Sequence, residues 1–228
     1  MSYNRRKSDA RRQAAVARSC TAQLEWQLSQ AGYRWIAGVD EVGRGALAGP
    51  VVAGAVILDL DCIPDGIDDS KKLTANQRQR LAEAIKQSAV TLSVAAVEAE
   101  QVDQLGIVPA TRLAMQRAIA GLARQPDYLL IDALRLEGLP MPQQAIVHGD
   151  ASCLSIAAAS IVAKVARDAM MKELDRIYPG YGFARHVGYG TREHRQALNR
   201  LGPCAIHRRS FHGVTPDLFS SISCAVGK

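Results

Sequence analysis

Apolar positions along this chain fall into two textures. Short runs rich in Val, Ile and Leu, each closed by Gly, Pro or an acid, predict five strands: Arg34 to Asp40, Val51 to Leu58, Val90 to Val97, Asp127 to Asp132 and Gln144 to Val147. Longer stretches of good helix formers lie between and after them. They predict a helix from Asp9, its cap, to about Gln30, stopped by Gly32, and one capped by Thr74 that runs to about Gln87. A helical pattern resumes at Glu100, with its main helix from Pro109 to Arg124. Leu154 to Ile177 reads as a long Ala-rich helix, broken by Tyr178-Pro179-Gly180-Tyr181-Gly182, and Thr191 to Leu201 as another. From Cys204 on the chain is less regular, and it holds no internal repeat.

This order predicts an α/β fold. Short early connections allow an antiparallel meander, whereas the strand at 128–132 follows helices and can lie parallel to the first. Were those two neighbours, Asp40 and Asp132 would emerge at one sheet edge. Residues 1–30 form a basic extension, 31–215 the main domain with a helical C-terminal part, and 216–228 a tail.

Composition narrows the class. Of 228 residues 48% are hydrophobic and 22% charged, so a core can form without staples. The five cysteines are scattered with no C-x-x-C pair, against structural zinc and disulfides and in favour of a reducing cytoplasm. No apolar stretch reaches membrane-spanning length and none is left over for a partner, so a monomer away from the membrane is expected. Net charge is +6, concentrated at the two ends: Arg5, Arg6, Lys7, Arg11, Arg12 and Arg18 near one, and six arginines between 185 and 213 near the other. Basic ends around an acid-bearing middle suit a polyanion held by its backbone.

The chemistry begins at Ile36-Ala37-Gly38-Val39-Asp40-Glu41-Val42-Gly43-Arg44-Gly45. An apolar run delivers two adjacent carboxylates, and a glycine-bracketed arginine follows. Gly43-Arg44-Gly45-Ala46-Leu47-Ala48 also matches a dinucleotide fingerprint, but turn and strand residues stand where that site needs a helix. A phosphate-binding loop of the Walker type fails because Arg44-Gly45 replaces its Lys and Ser/Thr. Asp59, Asp61, Asp65, Asp68 and Asp69 lack the Gly and Glu of a calcium loop and read as a solvated acidic surface. Asp40, Glu41, Asp132 and Asp150 remain, each ending or following an apolar segment, where a carboxylate is costly unless paired or metal-bound. Alone, each could be a cap or an ion pair. Together they suit Mg2+ or Mn2+, and two such ions about 4 Å apart can clamp an in-line phosphoryl displacement.

These residues carry a resemblance. Gly38 to Gly45, Asp69-Ser70-Lys71-Lys72-Leu73, Ile131-Asp132, Gly149-Asp150, Ala157 to Lys164, Gly188-Tyr189-Gly190-Thr191 and His207-Arg208-Arg209-Ser210-Phe211 together resemble the bacterial ribonuclease HII family, in order from about residue 34 to 214. The resemblance implies a ribonuclease H-like fold, a five-stranded mixed sheet flanked by helices. It implies hydrolysis of the RNA strand of RNA–DNA hybrids and cutting 5′ to ribonucleotides embedded in duplex DNA. By position, Asp40, Glu41, Asp132 and Asp150 resemble the metal-binding acids. Gly43, Arg44 and Gly45 resemble the loop that reads the ribose 2′-hydroxyl and its phosphate, and Tyr189 the tyrosine that packs on that sugar. Ser70 and Lys71 are candidate phosphate contacts. Lys164 and Arg167 are read as reaching substrate or pairing with Asp168, and His207, Arg208 and Arg209 as gripping the duplex or forming ion pairs. The chain departs from the family at His148, where lysine is usual, and at His212-Gly213-Val214. A binding module that has lost its chemistry is the rival from another class, and the presence of all four acids argues against it.

Overall fold

The strand-forming runs pair into one mixed sheet whose two faces are both covered. The computed structural model describes residues 20–215; the predicted Asp9 cap, the start of the first helix and the 216–228 tail lie outside them. In chain order the elements are α1 (Gln23–Gln30), β1 (Ile36–Val42), β2 (Val51–Ile57), α2 (Ala75–Ser88), β3 (Thr91–Val97), α3 (Ala99–Leu105), α4 (Ile107–Ala120), β4 (Tyr128–Asp132), β5 (Gln143–Ile146), α5 (Leu154–Ile177), α6 (Phe183–His186) and α7 (Arg192–Leu201). The strand order is β3-β2-β1-β4-β5. β1 to β3 form the expected antiparallel meander, and β4 lies parallel to β1.

Period-two alternation assigns the faces. Ala37, Val39, Leu129 and Ile131 pack with Ala110, Ala114, Met115 and Ala118 of α4. Gly38 and Asp40 point the other way, toward α5. That helix sits very close. A Cβ on Gly38 would stand 2.0 Å from the Ser155 carbonyl carbon, and one on Gly54 would stand 2.5 Å from the Ala159 carbonyl oxygen. Glycine on the strands and a fully buried Ala157-Ala158-Ala159 on the helix therefore set the spacing. α5 spans about 36 Å at 1.5 Å per residue, so it carries residues from the acid-bearing edge out to the C-terminal helices.

Several boundaries differ from expectation. β1 continues through Glu41 and Val42, because both pair with β2 at Ala53 and Val52. The helix expected from Pro109 to Arg124 starts at Ile107 and ends at Ala120, and Gly106 separates it from α3. The break after Ile177 falls where expected, and a further short helix, α6, follows it directly. Thr74 caps α2 as expected, with Gln77 completing a reciprocal box. A strand rather than a helix follows Pro50, which removes the dinucleotide reading. Among the described residues no helix is long and apolar enough to cross a membrane.

Candidate metal and nucleic-acid site

Register brings the acids together. Val39 pairs with Ile131 across parallel β1 and β4, so Asp40 and Asp132 follow side by side. Carboxylate oxygens of Asp40, Glu41 and Asp132 all lie within 4.8 Å of one another. Burial first, and then the charge of Glu41, holds the Asp40 carboxyl well above the ordinary range. Burial also raises Glu41, opposed by the Arg44 guanidinium at 3.1 Å from its Oε1. Its other oxygen, Oε2, is buried with no hydrogen-bond partner. Asp132 is raised by burial too, although Oδ1 accepts the Gly149 N–H at 2.8 Å.

Asp150 stands beside this trio rather than within it. It sits in the one-turn helix Gly149–Ala151, which His148 enters in the left-handed region (φ 57°, ψ 41°). The hydrogen bond from Gly149 ties that turn to Asp132. Asp150 is buried, and its Oδ2 accepts a hydrogen bond from exposed Lys71 Nζ at 2.7 Å.

The trio forms one wall of a cavity of about 290 Å³. Gly43, Arg44, Gly45 and Tyr189 form another, and Ser70, Lys71, Arg78, Ser160 and Lys164 complete it. Ser70 is buried with its hydroxyl 2.9 Å from that of Ser160 on α5. Arg78 donates to the Ser70 and Leu73 carbonyls and so fixes that loop. Lys164 pairs with Asp168 at 2.6 Å while still lining the cavity. Sequence reasoning missed Arg78, a lone arginine on a helix, and placed Ser160 in the Ala157 to Lys164 motif without assigning it a place in the site.

The glycine loop is held from behind. Gly43 has φ +90°, and a Cβ there would fall 2.2 Å from Arg167 Nε. Arg167 and Arg208 are fully buried. Arg167 donates to the carbonyls of Pro50, Ala48 and Val187, and Arg208 to those of Gly49 and Arg44. Burial lowers both guanidinium pKa values, Arg208 to about 10. Both side chains are closed off from solvent, and neither pairs with an acid among the described residues, so both expectations for Arg167 and Arg208 are corrected. His207 is buried as well, and the Arg209 amide binds Asp103. The loop is bracketed on both sides, with Ala46 bridged to Tyr189 and Ala48 to His207. The Tyr189 ring lies over the Arg167 guanidinium at 5.6 Å, and Gly45 leaves 4.0 Å between an added Cβ and that ring.

Comparison with known proteins bears on what this arrangement serves. The pattern of the family described as Ribonuclease HII matches residues 37–214. The chain is 55% identical over 196 residues to the Ribonuclease HII of Anaeromyxobacter sp. (strain Fw109-5), covering 86% of this chain and 62% of that protein. It thus spans less than two thirds of that relative's length. It is 55% identical over 179 residues to the Ribonuclease HII of Nitrosococcus oceani, covering 78% of this chain and 89% of that one. Among solved structures, the ribonuclease H2 from Pyrococcus horikoshii OT3 matches with a TM-score of 0.68 at 25% identity, over 79% of this chain and 95% of that chain.

Proposed function

The chain belongs to the ribonuclease HII family, and from that premise we propose that it is a metal-dependent endoribonuclease. Its substrates are the RNA strand of RNA–DNA hybrids and ribonucleotides embedded in duplex DNA, cut on their 5′ side to leave 3′-hydroxyl and 5′-phosphate ends. The observation that carries this reading is the trio of buried Asp40 and half-buried Glu41 and Asp132, facing the glycine loop and Tyr189 across one cavity.

The donor set fits a hard divalent cation. It offers only oxygen, its carboxyls are raised by burial and repulsion, and one buried oxygen of Glu41 has no partner. Asp40, Glu41, Asp132 and Asp150 would hold a pair of Mg2+ or Mn2+ ions, which would supply charge stabilisation to the phosphoryl group and a lowered pKa for water. The protein's own groups do the rest. Asp40 and Asp132 stay fixed because the sheet register and the Gly149 amide hold them. Arg44 is half-exposed beside Glu41 and can turn toward a phosphate. Lys71, Arg78 and Lys164 make the remaining wall basic, so a backbone phosphate is attracted where the acids would repel it.

Selection of RNA rests on the other wall. A 2′-hydroxyl both donates and accepts, and it is what distinguishes a ribonucleotide from its neighbours. Gly45 presents backbone without a side chain in the way, Gly43 makes the turn that packs on Arg167 and offers its backbone beside it, and the Tyr189 ring closes the slot by shape. The 2′-hydroxyl positions the substrate and does not attack, so no cyclic phosphate forms. The chain acts as a monomer on this reading.

The test is a labelled DNA duplex carrying one ribonucleotide, incubated with Mg2+, Mn2+ or chelator beside an all-DNA control. Metal-dependent cutting only 5′ to the ribonucleotide, with a 3′-hydroxyl end, is expected. Tight binding without cutting under either metal would instead support the binding-module reading.

A further inference from the structure

Three histidines of the C-terminal lobe are buried where the reaction does not use them. His186, His194 and His207 are each less than a tenth exposed. The rings of His186 and His194 stack at 4.5 Å, and Phe183 packs edge-on against both. The ligand-bearing atoms of Cys204, His194 and His207 do not converge on one point, because His207 turns one nitrogen to each neighbour. They make a chain instead of a metal site.

The hydrogen-bond partners fix every tautomer along that chain. The Cys204 amide donates to His207 Nδ1 at 3.0 Å. His207 therefore carries its proton on Nε2, which stands 3.1 Å from His194 Nε2. His194 Nε2 must accept, so its proton is on Nδ1, 2.9 Å from the Tyr189 carbonyl oxygen. That oxygen also accepts the Thr191 amide at 2.8 Å. His186 obeys the same logic: Nδ1 accepts the Gly188 amide, and Nε2 donates to the Tyr181 carbonyl.

We propose that His207 and His194 are positioning residues for Tyr189, a neutral relay that carries one hydrogen-bond direction from the Cys204 amide to the Tyr189 carbonyl. The inference rests on the ribonuclease reading above, in which Tyr189 closes the ribose slot. Its geometry explains why one relay serves the slot. His207 is bridged to Ala48 and Tyr189 to Ala46, so the chain of rings spans the two segments that bracket the glycine loop. A proton added to His207 would aim Nδ1–H at the Cys204 amide, with the weakly accepting Cys204 sulfur at 3.1 Å beside it, and one added to His194 would aim Nε2–H at His207. Either opposes two donors.

The surroundings keep both rings neutral. Burial lowers His207 to about 4 and also lowers His194. The charged and titratable groups that face the cluster are Arg195 on α7, Arg209 beyond His207, the Arg185–Glu193 pair near His186, and Tyr181 and Cys204. The arginines disfavour a further positive charge, and Glu193 is already paired.

The test separates relay from bulk. In His194→Asn the amide nitrogen can occupy the Nδ1 position and still donate to the Tyr189 carbonyl. In His194→Gln it occupies the Nε2 position and cannot. Both variants bury one amide, so a purely structural role would affect them alike. Expected is kcat/KM on the single-ribonucleotide duplex within about 3-fold of wild type for His194→Asn, and about 10-fold lower for His194→Gln, the worth of one net hydrogen bond. Equal rates for the two variants would overturn the relay. Nitrogen-15 NMR of histidine in the wild-type full chain should show Nε2–H for His207 and Nδ1–H for His194 at neutral pH, and the opposite tautomers would overturn it even if neither variant folds. Wild-type protein that leaves the ribonucleotide duplex intact sinks the ribonuclease reading itself, an outcome distinct from cutting without discrimination between the variants.

Discussion

Asp40, Glu41 and Asp132 on the sheet edge form a cluster of ionisable side chains that is buried at Asp40 and half-buried at the other two, and Arg167, Arg208, His194 and His207 behind the glycine loop form one that is buried throughout. They differ in how far their polar atoms are satisfied. The acids repel one another, their carboxyls are raised, and a buried Glu41 oxygen has no partner. Each buried arginine and histidine, by contrast, spends its polar atoms on backbone groups or on a neighbouring ring. Sheet register fixes the acids in place, and Arg44 beside Glu41 compensates their charge only in part, a state a cation can complete. The wall behind the loop has its hydrogen bonds made without any ligand, as the proposed reading of a sugar by shape requires. One half of the cleft is thus built for electrostatic capture, and the other for rigidity.

The comparison breaks most visibly at Asp40. Asp40→Asn is expected to lower cutting by about 1,000-fold or more, the several kcal/mol that a cation's charge stabilisation supplies. Stability should move the other way. The folded carboxyl titrates above its unfolded value, so the stabilisation it gives is present at low pH and is lost as pH rises through the raised value. Once the buried carboxylate is ionised it costs stability, and the neutral amide relieves that cost. A melt without metal should therefore show a higher Tm for Asp40→Asn than for wild type. Added Mg2+ should raise the wild-type Tm and leave the variant nearly unchanged.

On the satisfied side, Arg208→Met removes the donors to the Gly49 and Arg44 carbonyls and leaves those buried oxygens unpaired. The expected loss is about 2–4 kcal/mol in urea unfolding. A neutral or stabilising result would show that burying this guanidinium costs as much as its bonds return.

Acid sharpens the contrast, because the histidines carry the opposite sign. Their folded pKa values lie below the ordinary 6.5, so their contribution is complete above 6.5 and is lost as pH falls below it, for His207 toward about 4. Denaturant unfolding at pH 7 and pH 5 should show wild type losing on the order of 1–2 kcal/mol more than His207→Gln. The carboxyl trio shifts stability the other way over its own range, so the two halves of the cleft can be read separately from one pH series.

Much of this was legible in the sequence, for local reasons. An apolar run ending in Asp40-Glu41 and another ending in Asp132 carry their chemistry at their own ends, and connection lengths imply that the strands are parallel neighbours. Leu154 and Ile177 bound a helix because breakers flank it on both sides. The supporting wall was not legible. Arg208 and Arg167 read as surface cations, since sequence cannot show that their partners are carbonyls up to 164 residues away. His194 and His207 likewise look like part of a basic tail until the fold stacks them behind Tyr189. Long-range side-chain-to-backbone bonds leave no periodicity behind.

Lys71 stands between the two halves and should give the smallest effect. Its side chain is 79% exposed, whereas that of its partner Asp150 is only 5% exposed. The Asp150 hydrogen bond, above all, raises the lysine's pKa, so the pair is intact throughout the neutral range. An exposed ammonium is screened by water and pays side-chain entropy to hold one geometry, so Lys71→Ala should change stability by no more than about 1 kcal/mol. Its effect on catalysis should fall on substrate capture, because the lysine lines the cavity beside Ser70 without supporting the glycine loop or Tyr189. Steady-state cutting of the single-ribonucleotide duplex should show KM raised a few-fold, about 0.5–1 kcal/mol of lost phosphate attraction, with kcat within about 2-fold of wild type. The KM difference should shrink as salt rises. A fall in kcat with unchanged KM would instead mean that Lys71 acts by holding Asp150, and the fourth acid would then belong with the satisfied half of the cleft.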